Sequence, residues 1–248
     1  MWYNGGMVEF SHGFETIKEQ NNLGKLVLMR HGQTAWSKIG RYTGRTNLPL
    51  TAIGRKQARF AGSLLNEYNF NGSSSAKQIF VSPLRRAQET AKQVGYTTFQ
   101  TSQALAEWDY GSIEGHTREQ LSALIGHDYN IWIDGININT SSLPIPKAAE
   151  DEEGNRIEIA HLPGESLAAV SARARRFVDQ INMTVQSKQD VLVIAHSQIL
   201  RVIACTWLGI DPKNGGKLVL DTASISTLGI VNGLHCIFDW NKTVPIVD

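Results

Sequence analysis

Two histidines and two arginines stand directly behind short apolar runs. "KLVLMRHG" carries residues 25–29 into Arg30, His31 and Gly32. "QIFVSPLRR" leads through Ser82 and Pro83 to Arg85 and Arg86, and "DVLVIAH" ends at His196. Near pH 7 an imidazole is both a nucleophile and a proton carrier, and a guanidinium is a permanent cation with a planar fork of donors. Such groups repel when crowded unless an anion sits among them. No matching acidic cluster stands beside them in the chain, so the ligand they imply is an oxyanion, phosphate first. Each charge-assisted hydrogen bond to it would contribute roughly 1.5–3 kcal/mol.

Crowding requires elements that bring these residues together. Residues 25–29, 78–82 and 190–196 are short apolar runs of the kind buried on both faces of a sheet. Between them the apolar spacing turns helical. Ala58, Ala61, Leu64, Leu65 and Tyr68 share one face behind a possible cap at Thr51. Leu84, Ala87, Ala91 and Val94 follow Pro83, and Leu167, Val170, Ala174, Phe177, Val178, Ile181 and Val185 form a long stripe. "TREQLSALIG" reads as a weaker helix stopped by Gly126, and residues 197–208 as one closed by Gly209. "SISTLGIV" and "LHCIFDW" finish as strands. Alternating strands and helices predict an α/β three-layer sandwich, a largely parallel central sheet with helices on both faces. Ligands of such sheets bind outside the carboxyl ends of the strands, where Arg30, His31, Arg86 and His196 all fall.

The rest of the chain bounds the reading. Hydrophobic residues make up 42% and charged residues 19% of 248, with a formal net charge of +1, so no global field argues for nucleic acid or an acidic membrane surface. No apolar window reaches the length of a membrane span. Residues 1–24 carry Glu9, Glu15, Lys18 and Glu19 and no continuous apolar run. They read as a loosely ordered extension of a cytoplasmic protein, preceding a single domain over 25–248. Residues 136–163, with Pro144, Pro146, Pro163 and the acidic run Glu150–Glu153, read as an insertion that could serve as a lid. Cys205 and Cys236 read as buried reduced thiols. His116, His127, His161 and His235 lack the spacing of metal ligands, and nothing in the chain specifies an oligomeric state.

Five ordered segments between Lys25 and Ile230 resemble one family. "RHGQTAWSKIGRYTGRTNLPLT" looks like the signature of the histidine phosphatase superfamily, with its phosphoglycerate mutase-like fold. "SPLRRAQET" resembles that family's second arginine motif and "ALAEWDYGSIEG" its acid motif. "LPGESL" resembles its helix start and "VLVIAHSQILR" its second histidine motif. The resemblance implies a metal-independent phosphomonoesterase, without cofactor, acting on a small phosphorylated metabolite through a phosphohistidine. His31 would be the nucleophile and Glu107 the general acid. Arg30, Arg86 (rather than Arg85) and His196 would clamp the phosphoryl oxygens. Thr34, Ser37, Thr43, Gly44, Tyr110, Arg118 and Ser197 would line the substrate side. "RYTGRTNLPLT" and "EWDYG" look more like the sugar-phosphate and sugar-bisphosphate phosphatases of the group.

The alternatives differ in residues. A phosphoglycerate mutase of the same fold has a paired arginine after an Ile-Trp-like stretch. "NIWIDGIN" puts Ile133 and Asp134 there, which argues against holding a second anion. A serine hydrolase would read "AHSQI" as a nucleophile elbow, but that turn needs small flanking residues and Ile199 is β-branched. A non-enzymatic phosphate-binding module would not need both His31 and Glu107.

Overall fold

The structure is a computed structural model that describes residues 23–66, 70, 78–144 and 148–243. The expectation for residues 1–22, and those for Tyr68 and Pro146, lie outside these. The strands are β1 (Leu26–Arg30), β2 (Ile79–Val81), β3 (Gln100–Thr101), β4 (Ala149–Glu150), β5 (Arg156–Ile157), β6 (Val191–Ala195), β7 (Ile225–Val231) and β8 (Leu234–Lys242). The α-helices are α1 (Ala35–Lys38), α2 (Ala52–Asn66), α3 (Arg85–Val94), α4 (Arg118–Ile125), α5 (Ile131–Asp134), α6 (Leu167–Gln186) and α7 (Ser197–Leu208).

Six strands form one sheet in the order β3-β2-β6-β1-β7-β8. The first four run parallel, while β7 joins β1 and β8 joins β7 antiparallel, so the sheet is mixed. The β7–β8 pairing follows from the two-residue turn Asn232-Gly233, which can only reverse the chain. Strand side chains alternate faces, and here each face has its own core. Leu26, Leu28, Val191 and Val193 pack with Val170 and Phe177 of α6 and Ile199 of α7. Val27, Met29, Leu192 and Ile194 pack with Ala61 and Leu65 of α2 and Ala87 and Ala91 of α3. That double burial is why these runs are continuously apolar, and it makes the three layers.

Register does the positioning. Arg30 pairs with Ala195 and Val81 with Ile194, so β1, β6 and β2 end at one level. The ladder continues one residue past each end: His31 N–H donates to the Ala195 carbonyl at 2.9 Å and Ser82 N–H to that of Ile194 at 3.0 Å. Caps start the helices where the sequence places them. Thr51 Oγ1 accepts the Gly54 N–H at 2.9 Å, Thr117 and Gln120 form a capping box for α4, and Ser166 caps α6.

Part of the 136–163 insertion, the β4–β5 ribbon, packs on α1 and the chain that leads to α2. Ala149 of the β4–β5 ribbon packs with Trp36 and Leu48, joined by Ile157 and Ile159. Glu152 accepts the Ala52 N–H at 2.5 Å and pairs with Arg55 at 3.4 Å. Cys205 is buried, but Cys236 is only half-buried because β8 is an edge strand.

Candidate active site

His31 is 5% exposed and stands beside Arg30 at the end of β1. Its Nδ1 lies 2.7 Å from the Gly32 carbonyl, an acceptor only, so Nδ1 carries the proton and Nε2 keeps its lone pair. Gly32 has to be glycine: a Cβ there would come within 2.3 Å of the Gly54 carbonyl oxygen. Burial, then the charges of Arg86 and Arg30, hold the His31 pKa well below its ordinary value. The ring is therefore neutral and nucleophilic.

Arg30 donates to the Leu220 carbonyl at 2.5 Å, and its buried Nε has no partner. Burial, then neighbouring Arg201, lower its pKa to about 10, which leaves it charged at neutral pH. Arg201, from α7, is a further cation close to the site.

Arg86 and His196 are both fully buried. Arg86 Nε donates to His196 Nδ1 at 3.0 Å. Its Nη1 donates to the Thr46 carbonyl at 3.0 Å, and Nη2 to those of Thr43 at 3.0 Å and Gly44 at 2.8 Å. The His31 and His196 ring centroids are 5.1 Å apart. Gly44 closes this unit: its N–H donates to Glu114, at 3.0 Å and 2.9 Å to the two oxygens, and a Cβ would come within 2.5 Å of the Trp108 carbonyl oxygen. Burial pushes the Glu114 pKa up against its bonds to Thr46 and Gly44.

Glu107 is 3% exposed and lies on the amino end of α7. Oε1 accepts from Trp108 N at 2.9 Å and Ile199 N at 3.0 Å, and Oε2 from Gln198 N at 3.0 Å. Four lone-pair positions less these three donors leave one, on Oε2, for the cavity.

That cavity has a volume of about 230 Å³. Of the residues expected at the site, Arg30, His31, Ser37, Thr43, Glu107, Tyr110, Arg118 and Ser197 line it. Arg86, His196, Thr34 and Gly44 do not: they form the layer behind. Thr34, also fully buried, is a helix cap whose Oγ1 accepts the Ser37 N–H at 3.2 Å. Asp134 does not line the cavity; it bonds His127 at 2.9 Å and accepts the Asn130 N–H at 2.7 Å, while Ile133 is 81% exposed.

Gly40, Arg41, Tyr42 and Gln198 also line the cavity and were not anticipated. A bridge between Arg41 and Thr117 puts Arg41 and Arg118 on one lip. Arg118 is paired with Asp128, whereas Arg41 donates to the Gly115 carbonyl at 3.0 Å. Tyr42 stacks edge-on with Tyr110 and Tyr129, and burial raises its pKa to about 12.

A mixed α/β sandwich with histidine and arginine at the strand ends and a carboxylate opposite defines an enzyme of phosphate esters on the phosphoglycerate mutase-like fold. The sequence model of the histidine phosphatase superfamily (branch 1) matches residues 26–243, and the chain belongs to that family. It is 34% identical over 211 residues to an acid phosphatase of Mycobacterium tuberculosis, covering 85% of this chain and 89% of that one. It is 31% identical over 226 residues to a sedoheptulose 1,7-bisphosphatase of Saccharomyces cerevisiae, covering 82% and 74%. A 2,3-bisphosphoglycerate-dependent phosphoglycerate mutase of Bacteroides fragilis is 31% identical over 211 residues, covering 80% and 84%. Among solved structures, an open reading frame product of Mycobacterium tuberculosis superposes with a TM-score of 0.71 at 32% identity, covering 89% of this chain and 98% of that one.

Proposed function

We propose that the protein is a metal-independent phosphomonoesterase acting through a phosphohistidine on a small phosphorylated metabolite, a sugar phosphate or bisphosphate. The observation that carries this is the His31 tautomer, an Nε2 lone pair beside Arg30 in a cavity shared with Glu107. In the first step Nε2 attacks phosphorus, the ester P–O bond breaks, and Glu107 in its protonated form gives its proton to the departing oxygen. In the second, water attacks the phosphohistidine, the P–N bond breaks and Glu107 takes a proton back. Splitting one transfer into two lowers each barrier, and the positioned acid contributes about 10²–10⁴-fold. Arg30 meets the phosphoryl oxygens. Arg86 adds positive charge from the layer behind, where His196 orients it. No step needs a metal or organic cofactor. The substrate class is supported by the yeast bisphosphatase relative.

Phosphoglycerate mutase is the second reading, supported by the mutase relatives. Ile133 and Asp134 weigh against it, since neither reaches the cavity. No helix among the described residues is long and apolar enough to cross a membrane, and we place the enzyme in the cytoplasm. A phosphate-release screen over sugar phosphates, sugar bisphosphates and phosphoglycerates, with EDTA present, tests the proposal. Release from the sugar esters undiminished by EDTA is expected. Interconversion of 3- and 2-phosphoglycerate faster than phosphate release would replace it with the mutase reading.

A further inference from the structure

An ion pair that no step above uses lies behind Glu107. Arg173 projects from α6 and is 8% exposed. All five N–H donors of a guanidinium are engaged. Nε meets Glu165 Oε1 at 2.9 Å and Nη2 meets Oε2 at 3.0 Å. Nη1 donates to the carbonyls of Ala104 and Ala106, both at 2.7 Å, and Nη2 also to that of Glu107 at 3.2 Å. Glu165 grips the other flank: Oε2 accepts the Asp109 N–H at 3.0 Å, and its carbonyl accepts the Trp108 indole N–H at 2.6 Å. Arg45 adds a bond to Oε2 at 3.2 Å. Residues 104–109 are therefore held on both sides of Glu107, by two residues that do not line the cavity.

We propose that Arg173 and Glu165 are positioning residues for proton transfer, setting the Glu107 carboxyl where it can protonate the departing oxygen without themselves touching the phosphoryl group. This rests on Glu107 being the general acid. An acid needs hydrogen-bond reach to the atom it protonates, so a small displacement removes its benefit while leaving nucleophilic attack intact. A departing sugar alkoxide needs that proton. A departing p-nitrophenolate does not.

The test compares kcat/KM, which reports formation of the phosphoenzyme, for fructose 6-phosphate and p-nitrophenyl phosphate. The variants are Arg173→Lys and Glu165→Gln, with Glu107→Gln as reference and thermal melts to establish folding. The expected result is a loss of about 10- to 100-fold on the sugar ester with a change within about threefold on the aryl ester, since only the acid's share is withdrawn. Equal losses on both esters, or none on either, overturn the proposal. If Glu107→Gln splits the two esters and the other variants do not, only the positioning role falls. If Glu107→Gln shows no split, the general-acid reading falls and this inference with it. Should Arg173→Lys fail to fold, Glu165→Gln decides, because the amide keeps the volume and one acceptor.

Discussion

Arg86 donates from Nε to Nδ1 of His196 at 3.0 Å, and this one contact determines the imidazole's tautomer. A nitrogen that accepts from a guanidinium carries no proton, so the proton sits on Nε2. That nitrogen lies 2.6 Å from Ser82 Oγ. His196 is thus a neutral spacer between a serine at the end of β2 and the arginine beneath the cavity. Burial, then Arg86, His31 and Arg30, keep its pKa well below the ordinary value.

Ser82→Ala removes the acceptor and leaves a buried N–H unpaired, which costs about 1–3 kcal/mol. For a chain of this size Tm should fall by about 2–4 °C per kcal/mol. The ¹⁵N shifts of the His196 ring should still report the Nε2–H form, because Arg86 continues to donate to Nδ1, but the Nε2 shift should move with the loss of its Ser82 acceptor. Unchanged shifts and an unchanged Tm would remove Ser82 from this account.

Stability should depend on pH through the two buried imidazoles. Both fold with pKa values below that of the unfolded chain, near 6.5. Above 6.5 they are neutral in both states and contribute no slope. As pH falls below 6.5 the unfolded chain takes up protons first, so stability is lost. Each imidazole contributes at most about 1.4 kcal/mol per pH unit. His127, raised by Asp134, works in the opposite sense at the surface. Urea unfolding between pH 7 and 5.5 should show the fall, and His31→Asn should make it shallower.

Gly44→Ala should disable the enzyme although Gly44 does not reach the cavity. The new Cβ would collide with backbone, the Trp108 carbonyl oxygen at 2.5 Å, and with Glu114 at 2.6 Å. The loop must move, taking with it the Thr43, Gly44 and Thr46 carbonyls that hold Arg86. Displacements of this order cost about 10²-fold in rate. Steady-state assay of the purified variant beside wild type measures the loss.

His31→Ala should abolish turnover by at least about 10³-fold, as expected when a nucleophile that acts as part of a unit is deleted. Brief incubation of wild type with ³²P-labelled substrate should give an acid-labile, base-stable label, absent from the variant. Label on serine instead would point to Ser197.

The strands and the order of the chemistry-bearing residues were legible because double burial leaves an unmistakable trace: four consecutive apolar residues before Arg30 and five before His196. The antiparallel edge was harder: the turn at Asn232-Gly233 reverses β8 on β7, but "SISTLGIV" is apolar whichever way it runs against β1. Which side chains meet the cavity and which stand behind it could not be read. Arg86 and Arg41 are both arginines beside small residues, and three-dimensional crossing of the 41–46 loop places one beneath and the other at the lip. Arg173 did leave a signal. Val170, Arg173, Ala174 and Phe177 share the buried face of α6, and a charge on an apolar stripe asks for a partner.

The common level at which β1, β6 and β2 terminate sets a limit on how this lineage can drift. Adding or deleting one residue within 26–31 or 191–196 would turn every side chain beyond it to the opposite face of the sheet, exchanging the imidazoles for their neighbours in one event. Length variation among descendants should therefore collect in the ribbon at 149–157, which lies outside the six-stranded sheet.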